Sequence, residues 1–205
     1  MRIVAGLRTQ GVSDEQVIVR VKSENLFQYP TERMAANRAI VCLRRLDAMV
    51  PTDAACSVRG IAPNIAVEAA SSLTSLMASG TPTQADQTIF YSMICRYDIV
   101  RELVLVEVGE RLQNYDYAFT AVDLNAFMTR FTTEYPDAAR WTESTVTRIK
   151  GSLRQTLRHA GLIGEGMGPE SERLSPLFLD PDVEQALVQL GEQPLIAALT
   201  GRAVM

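Results

Sequence analysis

Apolar residues recur along this chain mostly at three- and four-residue intervals, which predicts a helical protein. Residues 1–10 read as a short helix, punctuated by Gly11. Ser13-Asp14-Glu15-Gln16 forms a capping box, in which Ser13 bonds the amide three residues on and Gln16 reaches back. It opens a helix to about Leu26. Pro30 disfavours helix at Tyr29, and Thr31 is a suitable N-cap for a long helix to about Met49. Residues 51–61 read as a linker or loop. A helix of small residues then runs over about 64–78 and closes at Gly80, and Thr83 is read as the cap of the next, to about Tyr97. Asp98 begins another through Leu112. Val104, Leu105 and Val108 make that one apolar nearly all round, the pattern of a central buried helix. Thr120 with Asp123 resembles a further cap, for a helix to about Tyr135. Thr142 or Ser144 opens a helix to about Ala160, with Gly161 just past its end.

Beyond Gly161 the period changes. Gly161 to Gly164 and Leu174 to Leu179 flank the Gly-rich stretch 164–169, which predicts a β-hairpin with a flexible tip. Asp180 then caps a helix whose first residue is Pro181. The expected fold is mainly α, a compact multi-helix protein with one short hairpin. Three parts are expected: a helix-turn-helix-like region over 1–58, a central helical region over 59–118 and a winged-helix-like region over 119–205.

Composition narrows the function classes. Of 205 residues, 47% are hydrophobic and 21% charged, as in an ordinary globular chain, and the 6% aromatic content argues against a β-sandwich. Cys42, Cys56 and Cys95 form no disulfide framework and no C-x-x-C pair, and read as reduced core residues of a cytoplasmic protein. No secretory signal or membrane span is expected. His159 is the only histidine, and no phosphate-binding loop or nucleophile elbow occurs. The glycines at 164, 166 and 168 lack the strand before and the helix after that a dinucleotide site needs. No catalytic residue, metal or cofactor is therefore assigned.

The net charge of −4 excludes a uniformly basic nucleic-acid binder, but the charge is segregated. Residues 1–50 carry eight bases and five acids, and residues 141–160 carry four bases and one acid. The stretches 51–140 and 161–205 are acidic. On the 142–160 helix, Val146, Ile149, Leu153 and Leu157 share a stripe that predicts burial. Thr147, Arg148, Gly151, Arg154, Gln155 and Arg158 share another face, with three arginines and no acid, and Lys150 lies beside it. Gly151 costs about 1 kcal/mol in mid-helix, and would let a backbone or phosphate approach. The order helix, turn, helix, hairpin matches a winged helix, whose second helix enters the major groove. The eight-residue connection before Thr142 is long for that motif. On the 31–49 helix, Arg33, Asn37 and Arg44 lie together, with Arg38 and Arg45 at the margin, opposite an apolar arc of Met34, Val41, Cys42, Leu46 and Met49. That helix is a second candidate surface.

Several segments in order resemble the BrxA family of the BREX phage-exclusion system. They are Glu24-Asn25-Leu26-Phe27-Gln28, Leu43-Arg44-Arg45-Leu46, Ile94-Cys95-Arg96, Leu124-Asn125-Ala126-Phe127, Trp141-Thr142-Glu143-Ser144-Thr145 and Leu157-Arg158-His159-Ala160-Gly161-Leu162. The resemblance covers roughly residues 13–179. It implies a helical fold like the NusB antitermination factor, binding of double-stranded DNA, other BREX components as partners and a role in antiviral defence. Family members are often labelled putative inner-membrane proteins, a label this sequence does not support. The expected function is non-enzymatic, phosphate-directed DNA binding with little base readout, through Arg148, Lys150, Arg154, Gln155 and Arg158, and secondarily Arg33, Asn37, Arg38 and Arg44. The alternative is a scaffold that docks protein partners without DNA affinity. Because Arg148, Arg154 and Arg158 read as surface positions, changing all three to Glu is expected to spare folding.

Overall fold

A computed structural model of the protein describes residues 1–164 and 172–202. The chain forms two compact units, Met1–Arg96 with Leu179–Glu192, and Tyr97–Phe178 with Gln193–Met205.

The first unit is helical. It contains α1 (Arg2–Thr9), α2 (Asp14–Ser23), α3 (Glu32–Asp47), α4 (Asp53–Arg59), α5 (Pro63–Ser79), α6 (Pro82–Arg96) and the returning α11 (Pro181–Gln189). Ser13 and Gln16 make the expected reciprocal cap of α2, and the Thr31 hydroxyl accepts from Met34 N at the start of α3. Residues 51–61 are neither linker nor loop throughout: Thr52 caps α4, Cys56 is buried, and Gly60 ends the helix at φ +67°. One buried side chain in seven left no apolar period to read. Thr81, not Thr83, caps α6 by accepting from Gln84 N, while Gln84 Oε1 accepts from Thr81 N. The core is built where α1 and α11 pack on α5, α2 packs on α3, and α6 lies against α3 and α5. Val4, Val17, Val21, Leu46, Leu73, Met77 and Leu187 fill it.

The polar groups buried in this unit are matched. Arg45 is buried rather than marginal, and donates to Ser92 Oγ and the Ile89 carbonyl. Glu192 accepts from Arg59 at 2.9 Å and from the Tyr91 hydroxyl at 3.3 Å. Burial holds the Tyr91 phenol well above its ordinary range, so it stays a donor.

The second unit begins with one long rod: α7 (Asp98–Glu102), a π-helical segment (Leu103–Val108) and α8 (Gly109–Gln113). Leu103, Val104 and Val108 are buried, whereas Leu105 and Val106 are half-buried, so the rod is buried on one side. The remaining helices are α9 (Ala121–Glu134), α10 (Glu143–His159) and α12 (Gln193–Thr200), with a 3-10 turn at Ala138–Arg140. Thr120 and Asp123 form a full capping box on α9. Burial alone would raise the Asp123 carboxyl, but donors from Thr120 and the charge of Arg111 hold it below the usual range.

Gly109 is where α12 seats on the rod. A Cβ there would stand 2.7 Å from the Ala198 Cβ and 3.1 Å from its Cα. Gly109→Ala is expected to destabilise the protein by about 2 kcal/mol through overpacking. A thermal melt superimposing on the parent would show that α12 does not press on this position.

Where a hairpin is expected the described residues form only isolated bridges, and the expected tip falls outside the described residues. Ile163 and Leu174 form an antiparallel bridge, supported by Gly164 N donating to Arg173 O and Ser175 N to Leu162 O. A third segment joins on the other edge, where Ala118 bridges Arg173 and Leu174 N donates to Tyr117 O. Among the described residues these are isolated bridges and do not extend into strands. Leu177 leaves the pairing and donates to Leu199 O.

Candidate nucleic-acid interface

The helix α10 is positioned from both ends. Thr142 caps it through Thr145 N, and Gly161 terminates it at φ +80°. Leu153 and Leu157 are buried as the apolar stripe predicts, whereas Val146 and Ile149 are only half-buried. The long connection before the helix is packed rather than loose. Phe131 stacks on Tyr135 at 4.2 Å and on Trp141 at 6.0 Å, and the 3-10 turn lies between. Lys150 Nζ donates to Asn125 Oδ1 at 2.8 Å, which ties α10 to α9.

The outward face contains Thr147, Arg148, Gly151, Ser152, Gln155, Arg158 and His159, all exposed. Arg148 makes no ion pair among the described residues. A Cβ at Gly151 would meet nothing within 4 Å, so no packing demand accounts for this glycine. Gln155 lies 3.3 Å from His159, its neighbour one turn on.

The face is not free of acid. Glu172, whose side chain is only 1% exposed, sets one carboxylate oxygen on Arg154 Nε at 2.6 Å and the other on Arg158 Nη2. The Arg154 side chain is 24% exposed and that of Arg158 is 50% exposed. Two of the three arginines therefore also hold the paired segment 172–174 against α10. This corrects the expectation that all three are simple surface positions. A helical wheel compares residues of one helix, and Glu172 arrives from fourteen residues past Arg158.

Among bases outside the expected set, Arg173 is exposed and sits on the central paired segment. Arg140 is exposed in the turn before α10. Neither belongs to an amphipathic pattern, so neither stood out from the sequence.

On α3 in the first unit, Arg33, Asn37, Arg38 and Arg44 are all exposed. Glu32 pairs with Lys22 at 3.6 Å and Asp47 with Arg8 at 2.6 Å, which leaves the three arginines without an ion pair among the described residues. Met34 departs from the expected apolar arc and is exposed.

No helix among the described residues is long and apolar enough to cross a membrane. No group of three or more metal-ligating side chains occurs among them.

A family model described as BrxA matches residues 1–191. The BREX protein BrxA of Escherichia coli O9:H4 (strain HS) is 22% identical over 127 residues, which is 62% of this chain and 58% of that relative. The chain thus aligns with little more than half of the relative's length. The crystal structure of an uncharacterized protein from Magnetospirillum magneticum has a TM-score of 0.70 at 18% identity, covering 98% of this chain and 91% of that one. At that identity the likeness concerns fold alone.

Proposed function

The chain belongs to the BrxA family, and from that premise we propose that it is a non-enzymatic component of a BREX phage-defence system that binds double-stranded DNA. The observation that carries the DNA reading is the outward face of α10, where Arg148 is exposed and without an ion pair among the described residues, beside an open Gly151 backbone. In this reading the region from 119 onward is winged-helix-like. The segment 117–118 precedes α9, α10 follows, and the paired flanks at 162–164 and 173–175 form the base of the wing. Arg148 and Arg158 meet phosphates, Arg140 and Arg173 add to the same field, and α3 supplies a weaker second surface through Arg33, Asn37, Arg38 and Arg44. Lys150 and Arg154 serve mainly to hold the helix in place. Other BREX components are partners in this reading, the NusB-like character of the helical fold belongs to it, and its setting is the cytoplasm.

With Arg148 and Arg158 assigned to phosphates, Gln155 is left as the main side chain of this face for base readout, so affinity comes from phosphates. Titration of labelled duplex DNA across a salt series is expected to give a log–log slope of about −3, as for roughly three to four neutralised phosphates. Unrelated duplexes are expected to bind alike. A hundredfold preference, about 2.7 kcal/mol, would contradict phosphate-directed binding. No binding at low salt would favour a protein scaffold instead.

A further inference from the structure

In the first unit a groove of about 980 Å³ runs between α5 and α11. The start of α11 lies by the start of α6, where Gln84 Nε2 donates to Asp180 and Asp182. The turn after α11 lies by the end of α4, with Gly191 against Arg59 and Ile61. The two walls are therefore antiparallel, and α5, at 17 residues, is about 25 Å long. Along the groove the apolar side chains Ile65 and Val67 stand 43% and 54% exposed, next to the short side chains of Ser71, Ser72 and Ser75. Two parallel-sided helical walls with small residues between them leave a channel into which a third helix can lay its ridge.

The charge of the walls selects what that helix carries. No Lys or Arg occurs between Arg59 and Arg96, or between Arg173 and Arg202, so neither wall contains a base. Glu68 and Asp182 line the groove, and Glu184 lies on the same α11. A nucleic acid would meet only like charge here. A cationic amphipathic helix would place its apolar side on Ile65 and the short side chains beside it, and its bases over Glu68 and Asp182. We propose that this groove is a docking site for a Lys/Arg-bearing amphipathic helix of a protein partner. The proposal stands apart from DNA binding, which is assigned to other helices.

The test uses the full chain and two synthetic peptides of 18 residues, one a leucine–lysine amphipathic helix and one its leucine–glutamate counterpart. Ser72→Trp fills the groove, and Glu68→Lys reverses its charge. Both positions are exposed, so thermal melts are expected to match the parent. By fluorescence anisotropy the lysine peptide is expected to bind the parent. Each variant should weaken it at least tenfold, while affinity for duplex DNA stays unchanged. Three results would overturn the proposal: no binding of the lysine peptide, equal binding of the glutamate peptide, or binding that neither variant weakens. A fourth would as well: a parent protein that self-associates in sedimentation and is returned to monomer by Ser72→Trp, since a second copy would then be the occupant.

Discussion

Glu172→Ala is expected to lower stability by about 3 kcal/mol, because it removes the buried partner of two arginines. The carboxylate is buried between two guanidinium groups, and its removal leaves both without their partner. Arg158 is half-exposed and recovers some hydration, which places the effect at the low end for a broken buried pair. Glu172→Gln keeps the shape and one acceptor, and is expected to lose about half as much. Urea unfolding followed by circular dichroism measures both. A midpoint for Glu172→Ala equal to that of the parent would mean that the segment 172–174 is held by its bridges to Ile163 and Ala118 alone.

Charge reversal on α10 is expected to separate two roles that the helical pattern treats as one. Arg148→Glu should reduce DNA affinity at least tenfold, about 1.4 kcal/mol, with an unchanged melt, because Arg148 is exposed and makes no ion pair among the described residues. Arg154→Glu with Arg158→Glu should reduce both affinity and stability, because two new carboxylates would face the buried Glu172. The measurement is a low-salt titration beside a thermal melt of each variant. Retention of parental affinity by Arg148→Glu would remove α10 as the binding surface and leave α3 as the remaining basic helix.

Local chemistry was legible from the sequence where it is written locally. The caps at Ser13, Thr31, Thr120, Thr142 and Asp180 all form, since each needs only an amide two or three residues away. The buried stripe of α10 was legible for the same reason, its members lying within one helix. Long-range partners were not. Arg45 shares its helix face with exposed arginines, and only the approach of Ser92 from α6 makes it a core residue. Glu172 sits beyond a Gly-rich stretch that carries no period, so nothing in the sequence aims it at Arg154 and Arg158. The α4 helix was missed because its cap is local but its single buried residue, Cys56, gives no repeat.

The path of the chain between its two units also sets the order in which they can be completed during synthesis. Residues up to Arg96 emerge first, but α11, which covers α5 and α6 with Val183, Ala186 and Leu187, follows only after residue 179. The second unit starts between these events and waits for α12, whose Ala198 closes on Gly109. A ribosome adding about 5–20 residues each second therefore holds two unfinished cores for several seconds. Both are sealed only by α11 and α12, so a nascent chain stalled near residue 178 would present the apolar flank of α5 and the uncovered rod to chaperones at the same time.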